Sequence, residues 1–217
     1  MSDLQVWSVL RYLLGLLGCF LLWTLAIYWL HRWSHIHHRL NPLWWIHRAH
    51  HAEPYLRQDS RPSWPHWGQY LFWLGGVRLS LDVILVMTLP LLLITWIWPQ
   101  FGIPLLVFHY FYEVFLSESV LDHNPRVTGR WTHWFAWGDF HLHHHVHLQR
   151  NFGLLVCCWD WLFGTSEHPK PGASLERINA RLKRLAAAQA LVRNSTGSGR
   201  GRPIDAGGQH ESPAQPL

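Results

Sequence analysis

The sequence predicts an all-α integral membrane protein with about three transmembrane helices, and three observations carry that expectation. Only 14% of the 217 residues are Asp, Glu, Lys or Arg, against roughly 25% in soluble domains. Two long stretches are almost free of charge. Eighteen histidines are bunched into short clusters between and after those stretches. The near-zero mean hydropathy averages the greasy segments with a histidine-rich polar half and a hydrophilic tail.

The first apolar stretch, Trp7 to Leu30, holds one charge, Arg11, near its start. Its roughly 24 residues give a helix of about 36 Å, enough to cross a hydrocarbon core of about 30 Å. A signal peptide is the alternative, but the apolar run is too long and lacks a small-residue cleavage site. The second stretch runs from about Tyr70 to Leu116, with breaks at Pro99, Gly102 and Pro104. Its halves, Val83 to Trp98 and Phe101 to Leu116, read as a hairpin that crosses and returns. Arg78 and Asp82 stand at i and i+4 and are expected to pair on one helix face. Many of the 16 tryptophans lie at segment ends, where aromatic belts form.

One crossing followed by a hairpin leaves His31 to His66 and everything after Leu116 on the same side, so all the histidine clusters can meet. Arg32, Arg39, Arg48, Arg57 and Arg61 lie there too, which makes that side cytoplasmic by the positive-inside rule. The expected location is a bacterial inner membrane or the endoplasmic reticulum. A net charge of +5 fits contact with anionic headgroups and calls for no nucleic acid. Cys19, Cys157 and Cys158 form no disulfide framework and read as small packing residues. The membrane-embedded domain covers residues 1–171. A basic amphipathic helix follows over 172–193, where Leu175, Ile178, Leu182 and Leu185 alternate with Arg177, Arg181, Lys183 and Arg184. Residues 194–217, rich in Gly, Ser, Pro and Gln, read as a disordered tail.

The chemistry lies in the histidine spacing. His31 and His35 stand at i and i+4 at the cytoplasmic end of the first span, and His38 shares their face. Two interfacial histidines beside headgroups would look the same. His47, His50 and His51 fall at i, i+3 and i+4, where three imidazoles can grip one metal or bridge two. His141, His144 and His145 repeat that pattern, with His143 and His147 beside them. His123 follows the third span in a turn-prone segment, where a capping role competes with a ligand role, and His66 is similarly ambiguous. Imidazole suits iron, zinc, copper or nickel. Four ligands satisfy a structural zinc, so the surplus points to two metals, and two redox metals beside a membrane point to dioxygen activation on a greasy substrate. His109 and Glu113, at i and i+4 inside the third span, read as a functional or a self-paired buried pair.

These residues resemble the fatty acid hydroxylase and sterol desaturase superfamily of integral-membrane histidine-box oxygenases. The resemblance rests on Tyr28-Trp-Leu-His31-Arg-x-x-His35, His47-x-x-His50-His51, His123-Asn124 and His141-x-x-His144-His145. Asn151-Phe-Gly and the closing Trp159-Asp-x-Leu-Phe-Gly-Thr165 complete it, over roughly residues 25 to 166. It implies a helical hairpin under a cytosolic helical cap whose histidine cage holds two metals, iron first and zinc the alternative. By that analogy the ligands are His31, His35, His47, His50, His51, His123, His141, His144 and His145. His38, His66 and His147 are possible additional ligands, and Asn151 and Asp160 either orient ligand imidazoles or cap turns. The implied reaction hydroxylates or desaturates a C–H bond of a fatty acyl, sterol, sphingoid or isoprenoid lipid with dioxygen as co-substrate. Electrons would come from a separate reductase, ferredoxin or cytochrome.

Two departures qualify the analogy. The segment between His35 and His47 is longer than in many members, and the shorter spacing counted back from His47 falls on His38. Some members have a histidine where this chain has Ser119, which implies a smaller cage. Two readings without catalysis remain, a histidine-rich membrane metal carrier or sensor and a membrane scaffold.

Overall fold

A computed structural model describes residues 3–52, 67–71, 77–170 and 172–173, and scattered positions between 176 and 191. His66 and the 194–217 tail lie outside the described residues, as do the side chains of Arg78 and Ser119. The chain divides into two compact units, Met1–Asn179 and Ala180–Leu217. In the second unit the described positions are helical and exposed.

The first unit is helical, and among its described residues the sole β pairing is one isolated bridge, Phe135 to Val156. Helix α1 (Asp3–Ser34) continues past the apolar run, so His31 is still helical. Helix α2 (Pro42–Ala52) carries the second histidine box, and α3 (Trp67–Leu71) is one short turn. Helix α4 (Val77–Val83) runs through a π-helical segment, Ile84–Thr88, into α5 (Leu89–Ile97). Two stretches, Leu4–Ser34 and Ser80–Ile97, are long and apolar enough to cross a membrane.

The hairpin turns more sharply than the prolines and glycine imply. Only Trp98 leaves the helical region (φ −132°, ψ 72°), and α6 (Pro99–Phe111) begins at once. Pro99 occupies the first helical position, where a missing N–H costs nothing. Gly102 and Pro104 therefore lie within α6. The glycine serves contact: a Cβ on Gly102 would sit 2.3 Å from the Thr95 Cα, so its absence lets the two arms touch backbone to backbone.

Helix α6 continues as a second π-helical segment, Tyr112–Asp122. Hydrogen bonding from i to i+5 widens each turn, which aligns Tyr112, Ser117 and Asp122 on one face. An α-helix, at about 100° per residue, would turn Ser117 and Asp122 roughly 140° apart. The alignment is used: Tyr112 Oη and Ser117 Oγ donate to the two oxygens of Asp122, at 2.5 and 2.9 Å. At the first π-segment Trp23 of α1 donates its indole N–H to the Met87 carbonyl at 2.8 Å. That bond fastens α1 to the hairpin, amid a core that includes Ile27, Val86, Leu91 and Leu105.

Beyond Asp122 the chain is compact and loop-rich. A 3-10 turn, Gly129–His133, precedes α7 (Asp139–Val146), which carries the third box, and α8 (Cys158–Leu162) closes it. All three cysteines are free, with Cys19 and Cys157 buried.

Candidate metal centre

Two groups of imidazoles form where α1, α2, α7 and the residue after the second π-segment meet. His31, His35, His47, His51 and His144 make the first group, and His50, His123, His141 and His145 the second. Within each group the candidate ligand atoms all lie within 4.8 Å of one another. The groups adjoin, since the His51 and His145 rings stand 4.5 Å apart.

Helical geometry explains how each box serves both groups. At about 100° per residue, positions i and i+4 are offset by about 40°, whereas i+3 swings about 60° the other way. His47 and His51 therefore face the first group and His50 the second. On α7 the allotment is reversed: His141 and His145 face the second group and His144 the first. Two boxes of identical spacing, met from opposite sides, interlock.

The converging atoms are Nε2. In the first group the Nε2 of His47 lies 3.2 Å from that of His31, 3.0 Å from that of His35 and 2.8 Å from that of His51. In the second, His123, His141 and His145 pair at 3.1 to 3.2 Å. Nitrogens bound to one metal at about 2.0–2.1 Å stand about 3 Å apart, so these spacings fit a shared ion.

The opposite edges of three rings are fixed so that Nε2 faces the cluster. Their Nδ1 atoms donate to fixed acceptors: His31 to the Phe152 carbonyl at 2.6 Å, His47 to Asp82 Oδ2 at 2.8 Å, and His144 to the Arg150 carbonyl at 2.7 Å. A neutral imidazole with its proton on Nδ1 presents a bare lone pair at Nε2. Burial holds the rings neutral, pushing His35, His51, His123, His141, His144 and His145 well below the ordinary histidine range, with neighbouring imidazoles adding to the effect. His50 falls to about 4, chiefly by burial. The Nε2 of His144 is buried without a hydrogen-bond partner. Lone pairs gathered this closely repel one another unless a cation lies between them, so the donor set fits two metal ions.

Two peptide units form a clamp behind the first group. The Arg150–Asn151 unit holds His144 by its carbonyl while its N–H donates to the Thr165 carbonyl at 3.0 Å. The Phe152–Gly153 unit holds His31 by its carbonyl while its N–H donates to Asp160 Oδ2 at 2.7 Å. Asp160 Oδ1 also accepts from the Phe152 N–H and from Thr165 Oγ1, both at 2.7 Å. Burial raises the Asp160 carboxyl, and these three donors oppose that rise. Asn151 lies between the units at φ 58°, a left-handed conformation that Asn tolerates. Its side chain bonds the carbonyls of Phe140 and Glu167. A Cβ on Gly153 would meet Val156 O at 2.4 Å and Asp160 Oδ2 at 2.8 Å. Neither Asn151 nor Asp160 bonds a histidine directly; each acts through the backbone.

The remaining sequence-selected residues lie elsewhere. His38 is exposed and accepts from the Leu40 N–H at 3.2 Å, so His35 alone of that pair joins a group. His147 packs tilted against His143, ring centroids 4.5 Å apart, outside both groups. Asp82 accepts from His47; the pairing with Arg78 expected from the sequence falls on a side chain outside the described residues. The second group has four histidines to the first group's five, and it borders a small cavity. His50, His123 and His141 form one wall; Val86, Met87, Glu113 and Asp122 are among the others.

Fold and site together define a class: a helical protein with two membrane-length apolar helices and a buried cage of nine imidazoles divided into two metal-sized groups. A family model described as fatty acid hydroxylase matches residues 16–165, a span that includes all nine. The chain belongs to this family, within the fatty acid hydroxylase and sterol desaturase superfamily, and membership implies an oxidoreductase of the membrane. No solved structure matches the chain.

Proposed function

We propose that this protein is a membrane-bound dimetal oxygenase, with iron in both sites, that hydroxylates or desaturates a C–H bond of a lipid chain. The observation that carries the reading is the division of nine imidazoles into two adjoining groups, with His50, His123 and His141 of the smaller and His47 of the larger lining one cavity. Four protein ligands would leave an iron site coordinatively open beside that cavity.

When bound, the metal pair supplies the redox chemistry that reduces dioxygen and breaks the C–H bond. The protein's residues prepare the place for it. The carbonyls of Phe152 and Arg150 and the carboxylate of Asp82 fix the imidazole planes and turn Nε2 toward the metal site. Val83, Val86, Met87 and Leu154 give part of the cavity an apolar wall, which suits a hydrocarbon segment. The arms around that cavity deliver the chain: α1, the α4–α5 arm and the α6 arm form three spans, with the cage on the cytoplasmic side. Exposed tryptophans at both ends, Trp7, Trp96 and Trp98 at one and Trp29 and Trp33 at the other, fit two interfacial belts. In this reading a separate reductase, ferredoxin or cytochrome supplies the electrons.

Metal content and dioxygen use test this together. The purified protein is expected to hold two irons per chain. Membranes containing it should form oxygenated or desaturated lipid in a dioxygen-dependent way, and His144→Ala should abolish both metal and product. Less than one metal per chain, or exchangeable metal with no dioxygen-dependent product, would overturn the oxygenase in favour of a carrier.

A further inference from the structure

The cavity beside the four-histidine group has a volume of about 40 Å³, room for two or three waters at about 15 Å³ each. Its most unusual wall is Glu113, which is 3% exposed. The side chain touches Ser117, yet its Oε1 has no hydrogen-bond partner among the described residues. His109 Nδ1 stands 3.8 Å from this oxygen, and His109 Nε2 in turn shares a hydrogen with Thr88 Oγ1 at 2.9 Å. Neither residue belongs to a histidine group.

The other two carboxyls on the cavity are engaged. Asp82 accepts from His47, and both oxygens of Asp122 accept from Tyr112 and Ser117. Among the described residues Glu113 closes no ion pair at hydrogen-bonding distance. Burying an ionisable side chain inside a membrane arm is costly, so a carboxyl there with one oxygen facing a reaction cavity has a use. The chemistry supplies one. Hydroxylation combines R–H, dioxygen, two electrons and two protons into R–OH and one water. Desaturation takes the same two electrons and two protons and yields two waters.

We propose that Glu113 is the proton donor of this cavity. The step rests on the oxygenase reading. Its carboxyl O–H bond breaks as an O–H bond forms on the dioxygen that the reduced protein is converting, with the two electrons coming from the external carrier. The second proton, and the one that restores Glu113, come from bulk water as product leaves.

The test uses the full chain in lipid nanodiscs, loaded with iron, reduced with dithionite, desalted and mixed with oxygenated buffer. Glu113→Gln keeps the volume and removes the proton; Glu113→Asp restores a carboxyl with shorter reach. Wild-type reoxidation should slow in D2O. Glu113→Gln should bind the same iron, reoxidise about 100-fold more slowly and lose the isotope effect, while Glu113→Asp recovers part of the rate. Infrared spectra of the metal-free protein should show an acid C=O band, shifted in D2O, that Glu113→Gln removes. Reoxidation of Glu113→Gln within two-fold of wild type, loss of its iron, or an unchanged infrared band each overturn the proposal. Wild-type protein that dioxygen does not reoxidise overturns the oxygenase reading itself.

Discussion

Replacing Asp160 with asparagine should loosen a metal site that Asp160 never touches. The carboxylate accepts three short bonds, two at Oδ1 and one at Oδ2. Asparagine keeps one acceptor and sets an NH2 against the Gly153 N–H, so that amide loses its acceptor and the new donors find none. Each buried group left unmatched costs about 1–3 kcal/mol, giving a total of about 3–5 kcal/mol. At about 2–4 °C per kcal/mol for a chain of this size, the metal-free protein should melt roughly 10 °C lower. The freed N–H belongs to the peptide whose carbonyl aims His31, and disturbing such a support costs about 10–100-fold in metal affinity. Thermal melting by near-ultraviolet circular dichroism gives the first number. Metal retained during dialysis against graded chelator gives the second. A melting shift with undiminished metal affinity would refute the link from Asp160 through the peptide to His31.

Two further outcomes follow from the same geometry. His35→Ala should empty the first group of metal, whereas His38→Ala should leave metal content unchanged by elemental analysis, because only His35 reaches the cluster. Acid should unfold the metal-free protein early. The buried histidines bind fewer protons folded than unfolded, so stability present above the unfolded value of about 6.5 is lost as pH falls toward the folded values, about 4 for His50. Each such residue contributes at most about 1.4 kcal/mol per pH unit in that window. Chemical denaturation from pH 7.5 to 4.5 should show a steep loss below pH 6.5, shifted to lower pH when metal is bound; a flat profile would sink the argument.

The histidine spacing made much of the candidate site legible, because i, i+3 and i+4 place imidazoles on one helical side before any tertiary contact is known. Spacing alone could not show that His50 and His144 cross over to the neighbouring group, since that depends on how α2 and α7 face each other. The bond from His47 to Asp82 was not legible either: Arg78 at i−4 offers a local partner in the sequence, while His47 is remote there and close only after folding. The apolar runs disclosed the membrane-length helices. The two π-segments left no trace in composition, because one extra residue per turn changes no residue type. The clamp behind His31 and His144 was equally silent, since its donors and acceptors are backbone atoms. Its one visible sign was Asn151 before Phe-Gly, a residue suited to the left-handed turn.

The interlocked boxes also bear on assembly. Because α2 and α7 each contribute to both groups, an ion seated in one group has already fixed the helices that the other needs. The ordering cost falls on the first ion, and the second enters a prepared cage at greater apparent affinity. Metal titrations should then pass from empty to doubly loaded chains with little of the singly loaded form, and starvation for metal would remove the protein's competence in one step.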